Sequence, residues 1–279
     1  MSKGITWFRV TQVNDWSKLE DLLESYYVDQ ALNAGNRWIF RGVSSVSYGL
    51  LNSLERELRG NPYWEGKPAE AERLLIHEFK KRAHHYVRDV PRETAEIEWL
   101  ALMQHHGAPT RLLDWTRSPY VALFFAVRGS SANLGNPAIW VLNIEYCTRV
   151  ACRVLQEQLC LKQPPSDHQL FDLCCDKAFD VVFPIDPMRA NERLAIQQGV
   201  LLYPGNIGKS FDENLSGGVG MDDMVRIEID RELIPIAMYH LHMMNISHAT
   251  LFPGMDGFSV SMKELLWIPE HVRPESASR

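Results

Sequence analysis

The stretch Gln104-His105-His106-Gly107-Ala108-Pro109-Thr110-Arg111-Leu112-Leu113-Asp114-Trp115-Thr116-Arg117-Ser118-Pro119 decides the fold, because the chain changes character at both of its ends. Upstream, residues 93–104 have the spacing of a helix, which ends where Gly107 can take positive φ and Pro109 forbids continuation. Downstream, Ser118-Pro119 starts another helix, with serine as N-cap and proline in the first position. That helix, Tyr120–Val127, is apolar nearly all round and must be buried. Between the two lie cations, a carboxylate, hydroxyls and a pair of imidazoles, which is what a polar-ligand site needs when rigid elements hold its groups.

Working outward, Leu19, Leu22, Leu23, Tyr26 and Tyr27 recur at helical spacing behind an Asn14/Asp15 cap. Arg37-Trp38-Ile39-Phe40-Arg41-Gly42 reads as a short strand stopped by glycine, and residues 69–87 as a second amphipathic helix. Further strands are expected at residues 138–145, 181–185, 199–203 and 224–229, with a helix around Glu192 before the third of these. This mixture lacks the regular βαβ beat of a doubly wound sheet, so the fold class is α+β. There is no internal repeat. Turn-forming residues cluster at 164–167, 206–220 and 274–279, but none of these segments reads as a linker, so residues 1–279 form a single domain.

Composition narrows the function classes. Hydrophobic residues make up 46% and charged residues 23%, which excludes disorder, collagen and coiled coil. A net charge of −6, from 29 basic and 35 acidic residues, argues against a general nucleic-acid coat. No apolar run is long enough for a membrane helix and residues 1–16 lack a signal-peptide pattern, so no membrane association and a cytoplasmic location are expected. The 5 cysteines, all within residues 147–175, lack paired Cys-x-x-Cys spacing and read as free, buried thiols rather than zinc ligands; no metal is expected.

Phe40-Arg41-Gly42, the run from Gln104 to Thr116, Ala122-Leu123-Phe124-Phe125-Ala126, Gln198-Gly199 and Leu251-Phe252-Pro253-Gly254-Met255-Asp256-Gly257 together resemble the FRG-domain family, over residues 35–262. A weaker resemblance is to the ADP-ribosyltransferase fold, in which NAD lies in a cleft between two small sheets. That resemblance implies an ADP-ribosyltransferase-like split-sheet core behind an N-terminal helical part. Carried over, Arg41 matches the arginine of the first motif, Thr116 and Ser118 the hydroxyl motif, and Gln198 the usual glutamate. Asp114 and His105 complete the expected catalytic set with Arg41 and Gln198, while Gly42, Thr110, Arg111, Trp115, Thr116, Ser118 and Tyr203 are the expected cofactor contacts.

The chemistry is coherent at most of these positions. A guanidinium grips a diphosphate with a planar fork of donors and keeps its charge. Breaking the ribose–nicotinamide bond develops positive charge that a carboxylate stabilises. Gln198 carries no charge and cannot act as a base, so Asp114 is the acid available for that role, with Glu192 ranked behind it, and His105 or His106 could activate an acceptor hydroxyl. The resemblance thus implies NAD as co-substrate, transfer of ADP-ribose to a protein or nucleic acid or hydrolysis of NAD, and a toxin or anti-phage effector with an antitoxin or phage-encoded partner. Two alternatives stand beside it. One is a non-enzymatic module that senses a nucleotide or phage component through Arg41, Arg111 and Asp114. The other is a metal-independent hydrolase using His105, Asp114 and a serine, although no Gly-x-Ser-x-Gly elbow is present. A metal hydrolase would need His105, His106, Asp114, His240, His242 and His248 to converge.

Overall fold

The computed structural model describes residues 7–32, 37–128, 135–187, 192–218, 220 and 222–266. Strand β1 (Arg9–Val13) leads into helix α1 (Trp16–Leu32), whose start is fixed by Asp15: its carboxylate accepts the Lys18 N–H at 3.1 Å. Strand β2 (Trp38–Val43) is the expected aromatic and β-branched strand, followed by α2 (Ser53–Leu58), α3 (Pro68–Ala83) and α4 (Glu96–His105). Helix α4 ends as its sequence dictates, with Gly107 at φ 77°.

Strand β3 (Leu113–Thr116) and helix α5 (Pro119–Arg128) come next, then β4 (Ala138–Asn143), α6 (Ile144–Gln158) and α7 (Asp167–Asp176). The chain continues through β5 (Val182–Ile185), α8 (Glu192–Ile196), β6 (Gly199–Pro204), α9 (Phe211–Ser216) and β7 (Met224–Ile229). Three helices, α10 (Ile234–Met243), α11 (His248–Leu251) and α12 (Met255–Ser261), follow β7.

All seven strands join one sheet in the order β1-β7-β4-β2-β3-β6-β5, with β1 parallel to β7 and every other pair antiparallel. This is the α+β class. Its strands are not evenly joined. β2 pairs with β4 over six residues, Trp38↔Asn143 to Val43↔Ala138, but with β3 only through Phe40↔Thr116. Beyond that seam, residues 41–43 and 113–115 run side by side without pairing, and the sheet forks.

Helix α5 covers one face of the first wing, strands β1, β7, β4 and β2. Its Val121, Leu123, Phe124 and Val127 pack with Leu19, Leu23, Phe40, Val141, Ile227 and Met238. Burying such side chains stabilises by about 1.5–3 kcal/mol each. A second core under the other wing joins α4, α6 and α7 to β5 and β6 through Leu100, Leu155, Phe171, Phe183 and Tyr203. The opposite sheet face is filled by Ile39, Leu113, Trp115, Trp140, Leu142 and Phe211. Gly42 sets how close α5 can come: a Cβ there would lie 1.9 Å from the Ala122 carbonyl oxygen and 2.5 Å from the Ala126 nitrogen.

Two expectations change at the level of elements. Asp114-Trp115-Thr116, absent from the expected strands, is strand β3, because Leu113 and Trp115 alternate into the core and β6 supplies a partner for each residue from 113 to 116. Residues 206–220, read as a soft glycine-rich segment, contain α9, which begins in a capping box between Ser210 and Glu213. The segment 274–279 lies outside the described residues. Among the described residues, no helix is long and apolar enough to cross a membrane.

Candidate functional site

The fork between β2 and β3 opens a cleft of about 350 Å³, within the range of small-molecule sites. Phe40 to Ser44 form one wall and Asp114 to Thr116 the other, and Tyr48, Phe125, Arg193 and Gln197 close it. Arg41 stands at the junction. Its Nη1 donates to the backbone carbonyl of Asp114 at 2.5 Å, while its Nε is buried with no hydrogen-bond partner. Burial pushes the Arg41 guanidinium below its usual pKa range; Asp114 works in the opposite direction and the like charge of Arg56 adds to the depression. A half-buried cation so thinly compensated favours an anion in the cleft.

Asp114 is oriented by a short relay from the run that precedes it. The Thr110 hydroxyl donates to Gln104 Oε1, which fixes the amide so that Nε2 donates to Asp114 Oδ2 at 2.6 Å. Thr110 is itself pinned by Ser53, whose Oγ accepts the Thr110 N–H at 3.0 Å. Gln104 belongs to the same run but has no expected role; its bond to Asp114, ten residues on, becomes visible only in three dimensions.

His105 lies in a small annex of about 40 Å³ beside the cleft, which it shares with Gln104, Asp114, Arg193 and Gln197. Burial lowers its pKa, and His106 and Arg193 lower it further, so it is neutral at pH 7 and can accept a proton. His106 meets it edge-on, with ring centroids 4.7 Å apart.

The structure thus gathers Arg41, Gly42, Asp114, Trp115 and Thr116 around the cleft and His105 next to it. Gly42 contributes backbone. The Thr116 hydroxyl donates to the Gln197 carbonyl at 2.7 Å and accepts the Ser118 N–H at 3.0 Å. Ser118 Oγ in turn accepts the Val121 N–H at 3.3 Å and caps α5. Trp115 is buried in the core, with an indole N–H that has no partner.

Five expected positions fall elsewhere or serve the framework, Ser118 at its helix cap among them. Gln198 is exposed on the turn between α8 and β6, with φ 48°, and it is the neighbouring Gln197 that lines the cleft. Arg111, expected as a ligand contact, is buried in an ion pair: its Nε donates to Glu72 Oε1 at 2.7 Å and its Nη2 to Oε2. Burial opposes that charge, but the Glu72 bonds more than offset it and leave the pKa above its usual value. Tyr203 lies beneath the same guanidinium, 4.8 Å from ring centroid to Cζ, in the core under the second wing. Thr110 is fully buried as a link between α2, α4 and β3.

Tyr48, Arg193 and Gln197 carried no role in the sequence reading. They come from a loop after β2, from α8 and from the turn that follows α8, and the order β2-β3-β6 brings them together. Gln197 is held by its Nε2, which donates to the Leu251 carbonyl at 3.0 Å. No group of three or more His, Cys, Asp or Glu is gathered for a metal among the described residues. His240 instead stacks on Trp16 at 4.2 Å and His248 on Phe252 at 4.1 Å.

Residues 36–134 match the family model described as the FRG domain, a stretch that contains Arg41, Gly42, Gln104, His105 and Asp114, and the match supports the FRG-domain family for this chain. No curated protein matches the chain. No solved structure does so either.

Proposed function

We propose that the fork between β2 and β3 is a nucleotide site and that NAD is its ligand, with Arg41 on the phosphates. The observation that carries this reading is the Arg41 guanidinium, which lines a preformed cleft with one bond to a carbonyl and a buried Nε left over. A diphosphate supplies the paired acceptors such a fork takes.

In this reading the reaction is ADP-ribosyl transfer or NAD hydrolysis, and Asp114 is its acid. The bond from ribose C1′ to the nicotinamide nitrogen breaks and its electron pair leaves with nicotinamide. Asp114 then faces the cationic ribosyl carbon that remains. Water or an acceptor hydroxyl of a protein or nucleic acid adds to that carbon, and its proton passes to neutral His105. Consumption of NAD, or modification of a cellular target, would make the protein a toxin or anti-phage effector.

A second reading, binding without turnover, has its own support. The Thr116 hydroxyl is already engaged by Gln197, and Gln198 stands outside the cleft. One experiment separates the two: purified protein is incubated with NAD, released nicotinamide is measured, and binding is followed by calorimetry. Turnover that falls by about 10²–10⁴-fold in Asp114→Asn, with NAD affinity retained, supports the enzyme. Binding lost in Arg41→Ala with no nicotinamide released by the wild type supports the sensor. Absence of binding removes the nucleotide reading.

A further inference from the structure

Phe125 lines both the cleft and a second cavity of about 300 Å³, to which Arg128, Lys263 and Glu264 contribute. Next to Phe125, with ring centroids 6.0 Å apart and planes at 82°, lies Phe252. Two guanidinia meet this one ring: the Cζ of Arg193 is 4.3 Å from its centroid and that of Arg128 5.6 Å. Arg193 lines the cleft and Arg128 the second cavity, so the shared ring joins the two.

The charge around Phe252 is only partly offset: Glu264 acts on Arg128 and Asp114 on Arg193 at a distance, while the two guanidinia oppose each other. Neither arginine makes an ion pair among the described residues. The carboxylate at hand, Glu264, accepts the His248 backbone N–H at 3.0 and 3.2 Å. His248 stacks on the same ring with its Nδ1 buried and unpartnered. Burial, with Arg128 and Arg193 adding to it, pushes the imidazole down to about 4, so it stays neutral. Two like charges held beside one ring repel each other unless an anion joins them.

We propose that Arg128 and Arg193 on Phe252, with Lys263 at the rim, form a phosphate site continuous with the cleft. The ligand class is then a nucleotide that carries a phosphomonoester in addition to its diphosphate. The placement of the rest of the ligand rests on the nucleotide reading of the cleft; the phosphate site itself stands on the arginine pair. Guanidinia stacked on a ring are fixed in orientation and take a phosphate in paired bonds.

The test is calorimetric titration of the full chain with NAD, with NADP, which differs from it by one phosphomonoester, and with inorganic phosphate. NADP is expected to bind about tenfold more tightly than NAD. Arg128→Gln is expected to bring the two together without changing NAD affinity, and Arg128→Lys to keep part of the difference. Arg128 is exposed, so these variants should fold, and circular dichroism checks that. Equal affinity of the wild type for NAD and NADP overturns the phosphate site and leaves the cleft reading intact. If neither dinucleotide binds but inorganic phosphate does, and Arg128→Gln weakens it, the phosphate site stands and the nucleotide reading falls. If all three fail to bind, both fall.

Discussion

Arg41 donates through Nη1 to the carbonyl oxygen of Asp114 at 2.5 Å, at the point where their two strands have ceased to pair. The side chain does there what a ladder bond would otherwise do, and it places a cation at the root of the cleft. Replacing it separates the two roles. Arg41→Lys keeps a charge but loses the planar fork, so NAD affinity should fall about 10–100-fold with little loss of stability. Arg41→Ala should lose both measurable binding and about 1–3 kcal/mol of stability, since the Asp114 carbonyl then lacks its donor. Calorimetry and urea denaturation read the two effects independently.

Gly42 tests the contact between α5 and β2. An added methyl group would fall 1.9 Å from the Ala122 oxygen and 2.5 Å from the Ala126 nitrogen, both backbone atoms that cannot rotate away. Gly42→Ala should therefore cost more than about 3 kcal/mol or prevent folding, more than the usual surface substitution. The midpoint of a denaturant transition, or the yield of soluble protein, is the measurement. A variant with wild-type stability would show that α5 does not pack as closely as described.

The Arg111–Glu72 pair predicts a stability effect without a binding effect. Both residues are buried, so Glu72→Gln or Arg111→Met alone leaves an uncompensated charge and should cost about 3–5 kcal/mol. The double variant should recover much of that loss, and NAD affinity of whatever protein remains folded should be unchanged. If Arg111→Met removed binding while sparing stability, the framework role would be wrong.

A pH effect follows from Glu55. Its Oε1 accepts the Phe211 N–H at 2.8 Å and the Asn52 amide at 2.7 Å, while Oε2 is buried without a partner. Burial, with a contribution from Asp212, raises its pKa from 4.5 to about 7; Asp212, also raised by burial, reaches about 6. A carboxyl whose folded pKa is raised adds stability that is present at low pH and lost as pH rises through the folded value. Glu55→Gln keeps the Oε1 bonds and removes the charge, so it should be more stable than wild type at pH 8 and lose that advantage as pH falls from 8 towards 4.5. Thermal unfolding of both proteins across that range gives the difference directly, with the histidines common to both.

Much of the architecture could be read before any coordinates, and the reasons are specific. β2, β4, β6 and β7 are apolar and β-branched, and α5 is apolar on every side, so burial alone announces them. β3 is four residues set in a polar run, and what makes it a strand is β6, more than 80 positions downstream. Helices α6 and α7 hold most of the cysteine-rich stretch, and Cys147, Val150, Ala151 and Leu155 recur at helical spacing as the buried face of α6.

The candidate site divides in the same way. Arg41 and Asp114 were legible because a cation and a carboxylate bordering apolar segments need a reason to be there. Arg111 met the same criterion, and its reason turned out to be Glu72 on α3, a partner 39 residues away that no local pattern could supply. Gln198 drew attention by motif position, yet its positive φ turns it outward and leaves Gln197 to line the cleft.

The single Phe40↔Thr116 pair is an isthmus between two broader ladders. Little backbone hydrogen bonding there opposes a change of angle, so the spread of the two halves is governed by what crosses the gap: the Arg41 guanidinium, and the α5 spine against Gly42. A molecule that draws Arg41 away from the Asp114 carbonyl would therefore loosen the same contact that holds the halves at their present angle, which ties occupancy of the pocket to its own width.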